Sequence, residues 1–528
     1  QKTKHNFYLH IFELRFKLKV SKGDRISKMG GLVTHRYPTF APKDRRLLFT
    51  MLVVTAVVNS ATKGYDTMMM SGLIAINPFI DYFKLNPTTT GLLNASMWMG
   101  CILSPLAITS FCDFLGRKLT IFVCAWICLI GIIIQSAALN IAMFIVARII
   151  VGFGCQVTGS AAPLLIAEIS PPNYRGGLVG IYFTMYNLGA IIASIITYGT
   201  GMMNSNWSWR LPALLQCIPS IISICILYFI PESPRWLLGK GENEYAIQVI
   251  QISHAVSKEK AQKEADRIMS GIDKDSPFKG QFRKLFYWKK PMIMRLVIII
   301  SFAFLVEMSG SSVGTYYLTV VLSQAGIHSS QKVLEINMIS SCWSFIISVV
   351  GTFLFDCFGR KKQALLSLTG MIICFFILGA FVEKWGNDTS NHPAQYATIF
   401  WMFLFNGFYN FCFTPMNVLY PSEIFPTGVR AAGMAFYQFW NSAFGLIAAF
   451  VLPISMASVG WKFYMINAGY DIMFLPIIYF LWVETKGITL ERIATLFGDE
   501  QKYSLDIEAT NVEVSDRNSD KTDLESKI

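Results

Sequence analysis

The stretch DFLGRK at residues 113–118 returns later in the chain as DCFGRK at residues 356–361. Each copy lies between two long apolar runs. A short connection of this kind is typical of a sharp turn at a membrane surface, because Gly permits the turn and the cations stay in water. Its return in the second part of the chain predicts an internal repeat.

Two other features recur in the same order. A Glu-Ile-x-Pro segment is followed by an Arg in each part, and a Glu follows the last apolar run of each part. These are EISP at 168–171 with Arg175, EIFP at 423–426 with Arg430, and the pair Glu232 and Glu484. The common order predicts two six-helix halves related as pseudo-repeats.

The composition supports a membrane protein. Hydrophobic residues make up 53% of the chain and charged residues 15%, whereas soluble domains carry about a quarter charged residues. Twelve apolar runs approach the length of about 20 residues that a helix needs to cross a bilayer. The predicted fold class is therefore an all-α membrane protein with twelve transmembrane helices. The runs are 47–63, 92–111, 119–138, 141–162, 178–198, 211–230, 296–317, 336–355, 364–382, 397–415, 432–452 and 463–482.

The net charge of +12 is distributed unevenly. Lys and Arg crowd residues 1–46, residues 231–295 and the two repeated connections, which all lie on one predicted side. This pattern follows the positive-inside rule, so we expect both termini and the central loop in the cytoplasm, and it argues against nucleic-acid binding. The sequons at Asn206 and Asn387 fall in connections predicted to be outside.

The predicted organisation follows from the runs and the charges. It comprises a basic cytoplasmic tail (1–46), an N-terminal six-helix half (47–230), a cytoplasmic linker (231–295), a C-terminal half (296–482) and a cytoplasmic tail (483–528).

The sequence offers little for an enzyme. It has six His without metal-ligand spacing, no Gly-rich phosphate loop and no nucleophile elbow. Nearly all of its eleven Cys lie within or at the ends of apolar runs, where we interpret them as packing groups. We therefore predict no catalytic residues, no metal and no cofactor.

Two packed halves in a membrane predict alternating access, in which one half rocks against the other around a central binding site. Arg117 and Arg360 could then hydrogen-bond acidic side chains at neighbouring helix ends and form a cytoplasmic gate. The alternative is that they are only positive-inside flanking charges. The candidate gate residues are Asp113, Arg117, Glu168, Arg175, Glu232, Arg235, Asp356, Arg360, Glu423, Arg430 and Glu484.

From Arg45 to Leu496 the sequence resembles the sugar porter branch of the major facilitator superfamily. Among sugar porters it is most similar to fungal lactose-permease-like, cellodextrin and hexose transporters, on the segments 186–200, 413–423 and 433–436. The family resemblance rests on an ordered set of motifs, which are 64–66, 113–118, Arg148 with Gly152 and Gly154, 163–168 with 175–176, 231–236, 316–317, 356–361, 420–426 with Arg430, and 484–487.

The resemblance implies a monomeric carrier in the plasma membrane that moves a disaccharide, hexose or related polyol, together with protons. Its partners would be the sugar, protons and the lipid bilayer. Passive uniport and a non-transporting nutrient sensor of the same fold are the alternatives.

The resemblance also implies that Asp66 carries the coupled proton and pairs with Arg148. An acidic residue near a membrane-spanning segment is a functional candidate by itself. The alternatives are a static ion pair, or an Asp66 that sits in headgroup water. Lys63 lies one helical turn before Asp66 and could compete as its partner, or it could extend to the interface.

Substrate contacts depart from the family pattern. The positions that hold amides or Trp in sugar porters correspond here to Phe183, Val306, Glu307, Ser312 and Val418, and only Asn441 keeps the family residue. Glu307 could bind sugar hydroxyls, move a proton, bind a cationic substrate or pair structurally with a buried donor. The substrate candidates are Phe183, Glu307, Ser312, Tyr316, Tyr317 and Asn441.

Overall fold

The fold is given by a computed structural model of the chain. It describes residues 44–274, 278–286, 290–324, 329–385, 392–426 and 429–486, with residues 42, 493 and 496–498 in addition. Within these residues the chain is built from helices joined by short connections.

The N-terminal half contains the helices α1 (Arg45–Ile74), α2 (Asn77–Phe83), α3 (Pro87–Leu115), α4 (Arg117–Ser136), α5 (Ile141–Ile169), α6 (Pro172–Gly201), α7 (Trp207–Leu215) and α8 (Cys217–Phe229). The linker contains α9 (Pro234–Gly239), α10 (Asn243–His254), α11 (Lys258–Lys274) and α12 (Phe278–Leu285). We call the end of the bundle at which α9 begins the linker end.

The C-terminal half contains α13 (Lys290–Met308), α14 (Ser311–Tyr316), α15 (Leu318–Gln324), α16 (Ser330–Phe358), α17 (Arg360–Trp385), α18 (His392–Ile424), α19 (Arg430–Val459) and α20 (Lys462–Leu481).

All twelve predicted spans correspond to helices. Within the described residues, nine helical stretches are long and apolar enough to cross a membrane. The other three predicted spans are α3, α6 and α18, with 29, 30 and 33 residues, and each contains some side chains outside the described part.

The first helix is longer than its apolar run. It begins after Asp44, whose side chain accepts a hydrogen bond from the Arg46 amide, and it continues to Ile74. The last apolar-run residue, Lys63, and the following Asp66 therefore lie in the interior of α1. The residues that follow Lys63 include the polar side chains of Asp66 and Thr67, which are buried, so hydropathy alone ended this helix too early.

The seventh span is interrupted between α13 and α14. The break falls at Ser309 and Gly310, and Gly310 has φ of 90°. A Cβ at this position would lie 2.3 Å from the Phe375 ring, so only Gly fits. Interrupted helices in transporters expose backbone groups beside the substrate path.

The two halves contact each other through α3 with α19 and through α6 with α16. Ser194 on α6 and Ser341 on α16 lie 2.8 Å apart through their hydroxyls. Asn94 on α3 donates to the Tyr317 hydroxyl at 2.9 Å, and this hydroxyl donates to the Ala449 carbonyl on α19 at 2.6 Å. These bonds hold the halves together, and a cavity lies between the halves.

Candidate substrate cavity and gates

The central cavity has a volume of about 210 Å³ and is lined by helices of both halves. At about 30 Å³ for each water in the liquid, that volume corresponds to about seven waters, and therefore to a small polar solute. Hydroxyl and amide side chains dominate its wall, with aromatic rings among them. Such a lining offers many hydrogen bonds to a polyhydroxylated ligand.

On the N-terminal side, Lys63 reaches into the cavity from α1. Its Nζ donates to Gln156 Oε1 at 2.8 Å, and Gln156 Nε2 donates to Gln438 Oε1 at 2.7 Å. Gln156 lies on α5 and Gln438 on α19, so this chain of hydrogen bonds crosses from one half to the other.

On the C-terminal side, Glu307 lies near the end of α13 and is 8% exposed. Asn441 Nδ2 donates to Glu307 Oε1 at 3.0 Å. The Tyr437 hydroxyl lies 2.8 Å from Asn417 Oδ1 and 3.3 Å from Asn441 Oδ1, which holds this amide in place.

The predicted substrate candidates separate into groups. Glu307, Ser312, Tyr316 and Asn441 all line the cavity. Tyr317 is fully buried and bonded to Asn94 and Ala449, so it ties the halves together and is not among the residues that line the cavity. The side chain of Phe183 lies outside the described part of the chain, as does that of Val418.

The predicted pair of Asp66 and Arg148 is formed away from the cavity wall. Arg148 Nη2 lies 3.3 Å from Asp66 Oδ2, Nη1 lies 3.4 Å from Oδ1, and Gln216 Nε2 donates to Oδ1 at 2.9 Å. Asp66 is 1% exposed and Arg148 is 0% exposed, so an Asp66 in headgroup water is wrong. The hydrogen bond of Lys63 goes to Gln156, not to Asp66.

The gate residues of the N-terminal half meet at the linker end. Arg117 Nε lies 3.0 Å from Glu168 Oε2, and the Ser233 hydroxyl donates to the same carboxylate. Glu232 accepts from the backbone N–H groups of Arg117 and Lys118 at 3.0 and 3.1 Å.

The C-terminal half repeats this arrangement. Arg360 Nη2 lies 3.0 Å from Glu423 Oε1, and the Thr485 hydroxyl donates to Glu423 Oε2 at 2.5 Å. Glu484 accepts from the backbone N–H groups of Arg360 and Lys361 at 2.9 and 3.1 Å. We call these two clusters the N-latch (Arg117, Glu168, Glu232, Ser233) and the C-latch (Arg360, Glu423, Glu484, Thr485).

Glu232 and Glu484 differ from the sequence interpretation, which paired them with guanidinium groups. They bind the first backbone N–H groups of α4 and α17 instead, because the start of a helix leaves these donors without partners and attracts an anion. Burial raises the pKa of the Glu232 carboxyl, while its backbone hydrogen bonds and Arg117 act in the opposite direction.

Glycine is required at both latches. Gly116 and Gly359 have φ of 91° and 85°, and a Cβ there would lie 2.5 and 2.6 Å from the carboxylates of Glu232 and Glu484. The tight turn therefore brings each carboxylate onto the helix start.

The remaining gate candidates lie around these clusters. Asp113 is 3.9 Å from Arg117 with its side chain 66% exposed, Arg235 is exposed, and Arg430 Nε donates to the Phe425 carbonyl at 3.3 Å. The side chains of Arg175 and Asp356 lie outside the described residues.

Sequence reasoning missed several cavity residues. Gln156, Asn406, Asn410, Asn417 and Gln438 all line the cavity. The signal was present, because Asn406 and Asn410 lie one helical turn apart within an apolar run, and Gln438 and Asn441 share a face of α19.

A polar cavity between two packed six-helix halves, with duplicated latches at one end, defines an alternating-access membrane transporter. The chain matches the family described as "Sugar (and other) transporter" over residues 52–497 and belongs to this family. The prediction of a sugar porter of the major facilitator superfamily, and not an enzyme, is thereby confirmed.

Individual relatives agree with this assignment. A high-affinity glucose transporter of Kluyveromyces lactis is 29% identical over 470 residues, which cover 84% of each chain. The low-affinity glucose transporter HXT4 of Saccharomyces cerevisiae is 28% identical over 453 residues, covering 82% of this chain and 78% of the relative.

Solved structures agree on the fold. A partially occluded, inward-open structure of the xylose transporter XylE from E. coli has a TM-score of 0.70 and 22% identity, covering 84% of this chain and all of the other. The same protein, described as a proton:xylose symporter and bound to 6-bromo-6-deoxy-D-glucose, also has a TM-score of 0.70. The all-α fold of twelve spans in two halves is confirmed.

Proposed function

We propose that this protein imports a sugar by proton symport across the plasma membrane, as a monomer with both termini and the linker in the cytoplasm. The observation that carries the proposal is the hydroxyl- and amide-lined cavity to which both halves contribute. Planar amides and hydroxyls are suited to the many hydroxyl groups of a sugar. The names of the glucose-transporting relatives and of the proton:xylose symporter support the same substrate class and coupling.

In this proposal Asp66 carries the coupled proton. A carboxylate removed from water favours its protonated form, whereas the adjacent guanidinium of Arg148 favours the charged form. A shift between α1 and α5 within the N-terminal half that lengthens the Asp66–Arg148 contact would load a proton on one side, and a shift that shortens it would release the proton on the other. The pair joins α1 to α5, so a small shift between these two helices is sufficient to change the Asp66–Arg148 distance.

The two latches would hold the linker end. Each latch ties the start of one helix to carboxylates at the ends of others within the same half. We assign them the role of holding the helix ends of each half together at the linker end while the halves rock, with partial release when the cavity opens to the linker side.

A passive uniporter is the second candidate, and the Gln216 contact favours it. Asp66 accepts hydrogen bonds from both Arg148 and Gln216, which would fit a permanent structural anion. A buried ion pair costs about 3–5 kcal/mol when one partner is lost. In a uniporter the pair would stay intact and only stabilise the fold. In a symporter the pair would be broken and re-formed during each transport cycle.

The test is uptake of radiolabelled glucose, galactose, xylose, lactose, cellobiose and inositol in transporter-null cells, with and without a protonophore. We expect saturable uptake of at least one sugar that the protonophore abolishes. Uptake that ignores the protonophore would replace symport by uniport. Absence of uptake from cells that display the protein at the surface would overturn sugar transport.

A further inference from the structure

Two opposite charges face each other across the cavity. Lys63 comes from α1 of the N-terminal half and Glu307 from α13 of the C-terminal half. Among the described residues that line the cavity, these two are the ones that carry an amino or a carboxyl side chain. The Asp66–Arg148 pair is already balanced within itself and lies outside the lining.

Each charge is hydrogen-bonded to a neutral amide. Lys63 donates to Gln156, and Glu307 accepts from Asn441. The charges act on each other electrostatically across the space that a substrate would fill. A solute that fills this space displaces water, so each of the two charges loses hydration that the solute has to replace.

A solute with its own charge can offset that loss. Lys63 is the more accessible of the two, because Glu307 is 8% exposed whereas Lys63 is partly exposed to the cavity. An ammonium group with one neutral partner retains donors for a carboxylate, and such charge-assisted hydrogen bonds are about twice as strong as neutral ones. An incoming anion would then leave Glu307 as the uncompensated charge, and a proton on its carboxylate removes that excess.

We propose that the cavity binds a sugar acid, whose carboxylate pairs with Lys63 while Glu307 takes up a proton. The inference rests on the proposed transport function and specifies its substrate class. The charges at the cavity balance, because one anion and the proton on Glu307 enter together and leave together on the other side, in addition to the proton that Asp66 carries. The sugar hydroxyls are left to the amides of Gln156, Gln438 and Asn410.

The groups around Glu307 define its surroundings in a pH experiment. Besides Lys63 and Asn441, the titratable side chains that interact with it are Cys101 on α3, Tyr186 on α6, Tyr316 on α14, Tyr409 on α18 and Tyr437 on α19. Phenol and thiol groups are neutral below about pH 8, so between pH 5 and 8 the change of charge falls on the carboxylate.

The experiment measures uptake of radiolabelled glucuronate and lactobionate into proteoliposomes, beside glucose, lactose and the methyl ester of glucuronate as neutral counterparts. We expect saturable uptake of an acid, with competition by the ester at least tenfold weaker. Lys63→Gln should raise the KM for the acid at least tenfold and leave that of the neutral analogue within about threefold. Lys63→Arg should restore the KM for the acid. Lys332→Gln changes an exposed Lys outside the cavity and serves as the control, which should leave this KM unchanged.

Glu307→Gln supplies the second readout. It mimics the protonated carboxyl, so we expect acid binding to persist while its dependence on pH between 5 and 8 is lost. Retained pH dependence would overturn the role of Glu307.

The outcomes separate this inference from the proposed function. Uptake of neutral sugars with neither transport of nor competition by acids would overturn the sugar-acid inference and leave sugar transport standing. Acid uptake that is insensitive to Lys63→Gln would overturn the site. Competition by amino sugars instead of acids, lost in Glu307→Gln, would overturn it in favour of a cationic substrate. Absence of transport of every sugar and acid would overturn the proposed function itself.

Discussion

The two latches and the two faces of the central cavity differ in symmetry. Residue for residue, the C-latch repeats the N-latch, with Arg360 in place of Arg117, Glu423 in place of Glu168 and Thr485 in place of Ser233. At the cavity the halves differ, since one contributes the cation Lys63 and the other the anion Glu307.

The contrast between matching latches and differing cavity faces indicates which parts of the two halves have the same role. Both halves must start a helix after a sharp turn at the linker end, and the same turn, cation and carboxylates solve that problem twice. Substrate and proton are not symmetric, so the groups in contact with them have no reason to be. The ion pair of Asp66 and Arg148 follows the same logic, because it lies wholly in the N-terminal half.

The largest expected effect on the free energy of unfolding comes from the Asp66–Arg148 ion pair, which has no counterpart in the comparison of the two latches. Asp66→Asn leaves the Arg148 guanidinium fully buried without its counter-charge, so we expect a loss of about 3–5 kcal/mol in unfolding free energy. Thermal unfolding of the purified protein measures it. The double variant Asp66→Asn with Arg148→Gln should regain most of the loss, and an Asp66→Asn protein as stable as wild type would contradict the account.

The latch cations should behave alike in the two halves. Arg117→Gln and Arg360→Gln each remove a short, largely buried hydrogen bond to a carboxylate, and we expect each to cost about 1.5–3 kcal/mol. The comparison is made by unfolding temperature and by initial uptake rate. A large loss in one half and none in the other would disprove the equivalence of the latches.

The glycines test the turn itself. Gly116→Ala and Gly359→Ala combine a positive φ with a Cβ that would lie 2.5 and 2.6 Å from a carboxylate, so we expect about 1–3 kcal/mol of strain in each. Gly241→Ala is the matched control, since its φ is 83° and nothing lies within 4 Å of the added Cβ. If the control loses as much stability, the carboxylate contact contributes nothing.

The smallest effect is expected for Glu232→Gln and Glu484→Gln. The amide keeps an acceptor at the helix start, so we expect unfolding free energies within about 1 kcal/mol of wild type.

The carboxyl of Glu232 also has an expected response to pH. Burial raises the pKa of Glu232, so its contribution to stability is fully present below the usual value of 4.5 and is lost as pH rises through the higher folded value. Unfolding temperatures of wild type and Glu232→Gln from pH 4 upward check this, and the variant should lack that part of the pH dependence. Parallel pH curves for the two proteins would show that Glu232 does not titrate in this way.

Much of the fold could be predicted from sequence because membrane spans and repeated turns leave local signals. The pairing of Arg117 with Glu168 also followed, since both lie at helix ends on the same predicted side of the membrane. The pairing of Asp66 with Arg148 followed from the family resemblance. The interior position of Asp66 did not follow, because α1 continues through polar residues that become buried only against other helices. The backbone contacts of Glu232 and Glu484 depend on turn geometry, and the Gln156–Gln438 bond depends on how the halves pack, so neither has a local signal.

The central claim is that Asp66 carries the coupled proton, and it is tested most directly by proton movement in proteoliposomes. A pH-sensitive dye inside the vesicles is followed after addition of a neutral sugar, for wild type and for the Asp66→Asn, Arg148→Gln double variant, with exchange of that sugar as the measure of an intact cavity. The account predicts proton entry with wild type and exchange without proton entry in the double variant. Proton entry that persists in an exchange-competent double variant would contradict it.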